Sequence, residues 1–133
     1  MAQVKRFTSS VPGDLLDEFD GAARELGIDR SRAVSLAMRN FLSEYHWKAE
    51  DRNAAGALAY IYDHEKGDTN RELTEVQHHR RDVIVSTTHV HIDDRNCLEV
   101  VVLRGKIASI QDLSRHIMAV KGVKQARLIS LSI

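Results

Sequence analysis

Residues 82–92 read DVIVSTTHVHI and residues 97–104 read CLEVVVLR, with only DDRN between them. Both runs are rich in β-branched residues, so they predict two strands joined by a short polar turn. Residues two apart on a strand point the same way, which places His89 and His91 on one face. If the turn holds an odd number of residues centred on Asp94, Cys97 falls opposite His91 and Glu99 opposite His89. Directly opposed side chains lie about 5 Å apart at Cβ, close enough for two imidazoles and a thiolate to share one metal ion. An even turn would send Cys97 to the other face.

Outward from this hairpin the pattern alternates between strand and helix. Residues 54–62 (AAGALAYIY) predict a strand, and residues 68–79 a helix whose thin apolar face is Leu73 and Val76. Residues 107–121 carry Ile107, Ile110, Leu113, Ile117 and Val120 at helical spacing and end at Gly122. Residues 123–132 predict a last strand. The order βαββαβ is the ferredoxin-like arrangement, with two helices on one face of the sheet. The other face is left to meet a second sheet or subunit.

The first half has a different pattern. Residues 4–11 (VKRFTSSV) alternate, with Phe7 and Val11 on one side and Arg6, Thr8 and Ser10 on the other. Pro12 and Gly13 break that strand, and Asp14 is a suitable N-cap for a helix bearing Leu15, Leu16, Phe19, Ala23 and Leu26. Gly27 marks its end. Asp29 or Ser31 caps a second helix with Val34, Ala37, Met38, Phe41, Leu42 and Tyr45 on one stripe, running to about Lys48. So short a unit cannot bury enough apolar surface alone, and a lone strand lacks a partner. A second copy supplies both, giving a ribbon-helix-helix dimer. The polar stretch 46–53 places the boundary near residue 51, so the expected domains are 1–50 and 51–133, and the fold class is α+β. A two-stranded ribbon fits the major groove of DNA, where Arg6, Thr8 and Ser10 would reach base edges or phosphates.

Composition narrows the classes. The 133 residues hold 19 basic and 19 acidic side chains, one cysteine, seven histidines and 5% aromatics. One cysteine excludes an internal disulfide and points to a reducing compartment, hence a cytoplasmic protein. No apolar run approaches a membrane span, and no leader pattern is present. Zero net charge lends nothing to nucleic-acid binding by itself, but it averages unlike parts: residues 1–10 carry Lys5 and Arg6 and no acidic residue.

Three ligands do not close a structural site. His78 and His79, at the end of the helix before the hairpin, are the candidate fourth donors, most easily delivered by a neighbouring subunit. Spacing alone leaves the metal open between zinc, nickel and copper. His46 and Trp47 read as packing residues, His64 and His116 as non-ligands, and Arg80-Arg81 as a solvated helix end.

These residues resemble one family over essentially the full chain. Arg-Phe-Thr-Ser-Ser-Val at 6–11, Asp-Leu-Leu at 14–16, Arg30-Ser31, Tyr60-Ile61-Tyr62-Asp63-His64-Glu65, Val76-Gln77-His78-His79, His89-Val90-His91-Ile92 and Cys97-Leu98-Glu99 are similar to the nickel-responsive ribbon-helix-helix repressors, the NikR family. The resemblance implies an ACT-like C-terminal module, four of which form a central homotetramer flanked by two DNA-binding dimers. It implies one square-planar Ni(II) per subunit at the tetramer interface, held by His89, His91 and Cys97 of one chain and His78 of the opposite one. Gln77 and Glu99 would support these ligands from behind, and Arg6, Thr8 and Ser10 would read the operator. The implied function is nickel-dependent transcriptional repression of nickel-uptake genes, with no enzyme activity and no partner beyond operator DNA and further copies of the chain. Two departures stand out. The acidic pair that in the family holds a further cation corresponds to Arg32 and Leu36, so that site is not carried over. The histidine run stops at Arg80 and Arg81. Competing readings are a regulator sensing zinc, cobalt, copper or a small molecule such as an amino acid, and a cupin-type metalloenzyme built on His-x-His with Glu99.

Overall fold

The computed structural model describes residues 2–49 and 51–133; the expected domain end at residue 50 falls outside them. Two compact units are formed, residues 1–39 and 40–133.

In the first unit, helix α1 spans Gly13–Glu25 and helix α2 begins at Arg30, extending to His46 in the second unit. Asp14 does not cap α1: the N-cap is Pro12 and no side chain caps the helix, so Asp14 lies in the first turn, facing the positive end of the helix dipole. Gly27 ends α1 as expected. At φ +71° it closes a Schellman motif, with Ile28 N–H donating to the Ala23 carbonyl and Gly27 N–H to that of Arg24, both at 3.0 Å. Asp29 caps α2, its carboxylate accepting the Arg32 N–H at 2.8 Å. Arg30 grips Asp20 through two hydrogen bonds of 2.9 and 2.6 Å and so ties α1 to the start of α2. Residues 4–11, expected as a strand, form no ladder in the single chain. A lone segment of this kind leaves its backbone groups without ladder partners.

The second unit carries the sheet. Strand β1 (Asn53–Asp63) lies between β3 (Asn96–Lys106) and β4 (Val123–Ser132), and β2 (Ile84–His91) adds outside β3, for the antiparallel order β2-β3-β1-β4. Helices α3 (Thr69–His78) and α4 (Ile107–Ala119) complete the ferredoxin-like βαββαβ order. Alternation decides the faces. Leu58, Tyr60 and Tyr62 on β1, with Cys97, Glu99, Val101 and Leu103 on β3, are buried on one side. There they meet Ile107, Ile110, Leu113 and Ile117 of α4 and Leu73 of α3. Trp47 packs against this core, and Ser43 hydrogen-bonds Ser132, so the tail of α2 belongs with the sheet. Gly56 lets β4 approach β1 closely, since a Cβ there would stand 2.2 Å from the Ile129 carbonyl oxygen. Among the described residues no helix is long and apolar enough to cross a membrane.

Arg80 departs from its reading as a solvated helix end. Its guanidinium pairs with Asp112 and donates to the Ser109 carbonyl at 3.0 Å, fastening the end of α3 to α4.

Candidate metal centre

The β2–β3 hairpin has the odd turn. His91 stands opposite Cys97 and His89 opposite Glu99. Local hydrogen bonds set this register. Ile92 N–H donates to the Asn96 carbonyl, and the Asp93 carboxylate accepts the N–H groups of Arg95 and Asn96 and the Asn96 side-chain amide. These donors hold the Asp93 carboxyl down at about 2, led by the Asn96 side chain.

The thiol of Cys97 is fully buried, 3.3 Å from His91 Nδ1. Burial pushes it up, opposed by a hydrogen bond from Tyr62. The His89 and His91 rings lie 5.0 Å apart. His89 Nδ1 is 3.2 Å from the Tyr62 hydroxyl and 3.5 Å from Glu99 Oε2. A carboxylate beside Nδ1 favours the tautomer protonated there, which leaves Nε2 with the lone pair a metal requires. Burial, with the charges of Glu99 and Cys97 adding to it, pushes the Tyr62 phenol up to about 12, so it remains a neutral hydrogen-bonding group.

Behind Glu99 stands Gln77. Its amide donates to the Tyr60 hydroxyl at 2.7 Å and to Glu99 Oε1. The chain Tyr60, Gln77, Glu99, His89 thus links α3 with three of the four strands, β1, β3 and β2. The alternation of Tyr60 and Tyr62 toward the same face was visible in the sequence, yet their part in this network depended on pairing with Glu99 and Cys97 across β1 and β3.

Of the remaining histidines, His64 is the one placed differently from its reading. His64, read as a non-ligand, comes together with His91 and Cys97; one donor atom of each lies within 4.8 Å of the others. A bond from His64 N–H to the Arg95 carbonyl carries the β1–β3 pairing one residue past Asp63 and brings the ring there. His78 does not join this group. It sits exposed at the end of α3, on the wall of a cleft of about 550 Å³ that also holds His89 and Glu99, with Arg81 Nη2 2.9 Å from its Nδ1. His79 and His116 each turn Nδ1 to a backbone carbonyl of their own helix. Arg6, Thr8 and Ser10 are exposed on the segment before α1.

Residues 55–131 match the family model described as the NikR C terminal nickel binding domain. The chain belongs to the NikR family. Relatives assigned by name to the nickel-responsive regulators include one from Thermococcus onnurineus, 41% identical over 96% of this chain and 93% of the relative. Another, from Nitratidesulfovibrio vulgaris, is 40% identical over the same shares. Among solved structures, an uncharacterized protein from Thermotoga maritima aligns with a TM-score of 0.55 at 16% identity, covering 61% of this chain and 100% of that one; it shares the fold. The NikR domain binds nickel, and its donor set suits that ion: imidazoles and one thiolate, gathered at the open end of a buried sheet face.

Proposed function

We propose that the chain is a nickel-switched transcriptional repressor, with residues 1–50 as a DNA-binding ribbon-helix-helix unit and residues 51–133 as the metal-binding and tetramer-forming unit. In this reading His89, His91 and Cys97 of one chain and His78 of another hold one Ni(II) per subunit. The observation that carries it is the register of β2 on β3, which directs both imidazoles and the thiol to one face.

Nickel, when bound, supplies a preference for the subunit arrangement that closes its ligand set. Within the chain, Glu99 and Tyr62 orient His89, and Gln77 holds Glu99 in place. The exposed position of His78 on α3 suits delivery to another chain's site. The N-terminal unit supports pairing of copies through what it leaves bare. Of residues 2–39 only Ala23 and Ala33 are buried, while Phe7, Val11, Leu15 and Met38 are exposed. Pairing segments 4–11 of two chains would satisfy their backbone groups, cover these apolar side chains and aim Arg6, Thr8 and Ser10 at a major groove. A regulator that works on DNA in this way acts in the cytoplasm and needs no catalytic group.

The test is binding to duplex DNA selected by the full chain from a random pool, measured by anisotropy at fixed salt against nickel concentration. Wild type should bind in a nickel-dependent way, and Cys97→Ala should lose both that dependence and the nickel–thiolate absorption. Nickel-dependent DNA binding undiminished in Cys97→Ala would overturn the assignment.

A further inference from the structure

We propose that Arg95 is a positioning residue for the metal centre: by gripping the buried carboxylate of Asp63 it latches the tip of the β2–β3 hairpin to the end of β1, so that His91 and Cys97 face each other before any metal arrives. The proposal rests on the reading of His91 and Cys97 as nickel ligands.

The need for a latch follows from where these ligands sit. β2 is an edge strand whose ladder partner, among the described residues, is β3 alone, and its residues beyond Ile84 are exposed. His91 opposite Cys97 is the last rung of that ladder, next to the turn. Strand ends open with free energies near zero, so an unsupported last rung frays. Fraying separates the imidazole from the thiol, and the fraction of chains able to take up metal falls with it. The bonds of Asp93 within the turn set the register, but they do not hold the tip against the rest of the sheet.

That hold comes from outside the hairpin. Arg95 Nη2 lies 2.7 Å from Asp63 Oδ2, and Asp63 is only 4% exposed. Asp63 is itself fixed: its other oxygen accepts the Glu65 N–H at 3.0 Å, and its own N–H donates to the Gly122 carbonyl at 2.9 Å. A buried carboxylate that loses its cation is left uncompensated, so the pair commits the turn to this position. The His64 N–H donates to the Arg95 carbonyl at 2.9 Å, and Lys124 Nζ donates to Asn96 Oδ1 at 2.6 Å. The turn is thus tied to β1 and β4, strands that lie beyond β3 from β2. Arg95 stands out among these ties because its partner is buried; the Lys124–Asn96 bond is exposed and contributes less.

Wild type, Arg95→Ala, Arg95→Lys, Asp63→Asn and the double variant Arg95→Ala/Asp63→Asn are compared as full chains, with circular dichroism to establish folding. Stopped-flow absorbance at the nickel–thiolate band gives the association rate, and a chelator chase gives the dissociation rate. Arg95→Ala and Asp63→Asn should each slow association about 3–10-fold as the competent fraction falls. Dissociation and the spectrum of the loaded site should match wild type, because His91 and Cys97 are then joined through the ion. The double variant should lose no more than either single one, and Arg95→Lys should recover most of the rate. The two single substitutions change the local charge in opposite directions, so a field effect on the incoming cation would move their rates apart. Rates that part in this way, or that equal wild type, overturn the latch. In the metal-free chain, amide exchange at His64 and Ile92 should be faster in both single variants, and unchanged exchange there overturns it too. A wild type without a nickel–thiolate band would overturn the ligand reading instead, and the metal-free exchange would still decide the latch.

Discussion

Glu99 lies directly across β2 and β3 from His89, with Oε2 3.5 Å from the imidazole Nδ1 and Oε1 accepting the Gln77 amide. A carboxylate is there because it can serve both neighbours only as an acceptor. Glu99→Gln puts an amide beside the Gln77 amide and removes the charge that favours a proton on His89 Nδ1. Metal affinity should fall about 10–100-fold. Competition with a chelator measures this, and an unchanged affinity would show that Glu99 does not orient His89.

The contact between Arg81 and His78 makes a prediction of opposite sign. A guanidinium can only donate, so the 2.9 Å contact occupies the lone pair of His78 Nδ1 and puts a positive charge next to the ring. If His78 ligates nickel, Arg81→Ala should tighten nickel binding by a few fold; the contact is exposed to solvent, which keeps the effect small. Nickel affinity that drops in this variant would assign Arg81 a supporting role instead.

Acid stability should report on Asp63 and Arg95. The Arg95 guanidinium, 2.7 Å away, holds the Asp63 carboxyl below the usual carboxylate range. A carboxyl lowered on folding contributes stability above its unfolded value of about 3.9 and loses it as pH falls through the folded value. The Tm difference between wild type and Arg95→Ala should therefore be largest near neutral pH and shrink toward zero below the folded value. A difference that grows with acidity would contradict the pairing.

Gly56 tests the close approach of β4 to β1. Gly56→Ala places a Cβ 2.2 Å from the Ile129 carbonyl oxygen, so the strands must separate. Overpacking of this kind costs about 1–3 kcal/mol. Urea denaturation should show that loss, and hydrogen exchange should be faster along β4 than along β2.

Much of the second unit was legible because its signals are local. The β-branched runs at 82–92 and 97–104 and the apolar stripe from Ile107 to Ile117 each specify an element through neighbours a few residues away. Asp29 at the cap of α2 and Gly27 at the end of α1 are local in the same sense. The segment at 4–11 has an alternating pattern, yet it forms no ladder in one chain, since a strand is completed by an edge that lies elsewhere. Arg80 looked like any charged residue at a helix end until α4 brought Asp112 and the Ser109 carbonyl to it.

At the metal centre the same division holds. The sequence by itself determined that His89 and His91 share a face, because strand geometry alternates side chains whatever surrounds them. It narrowed Cys97 to two faces, and the hydrogen bonds of the five-residue turn chose between them. That His64, 27 residues before His91, reaches the same thiol was decided only by the tertiary structure. Its position follows from the pairing of β1 with β3, and no spacing along the chain encodes which strands become neighbours.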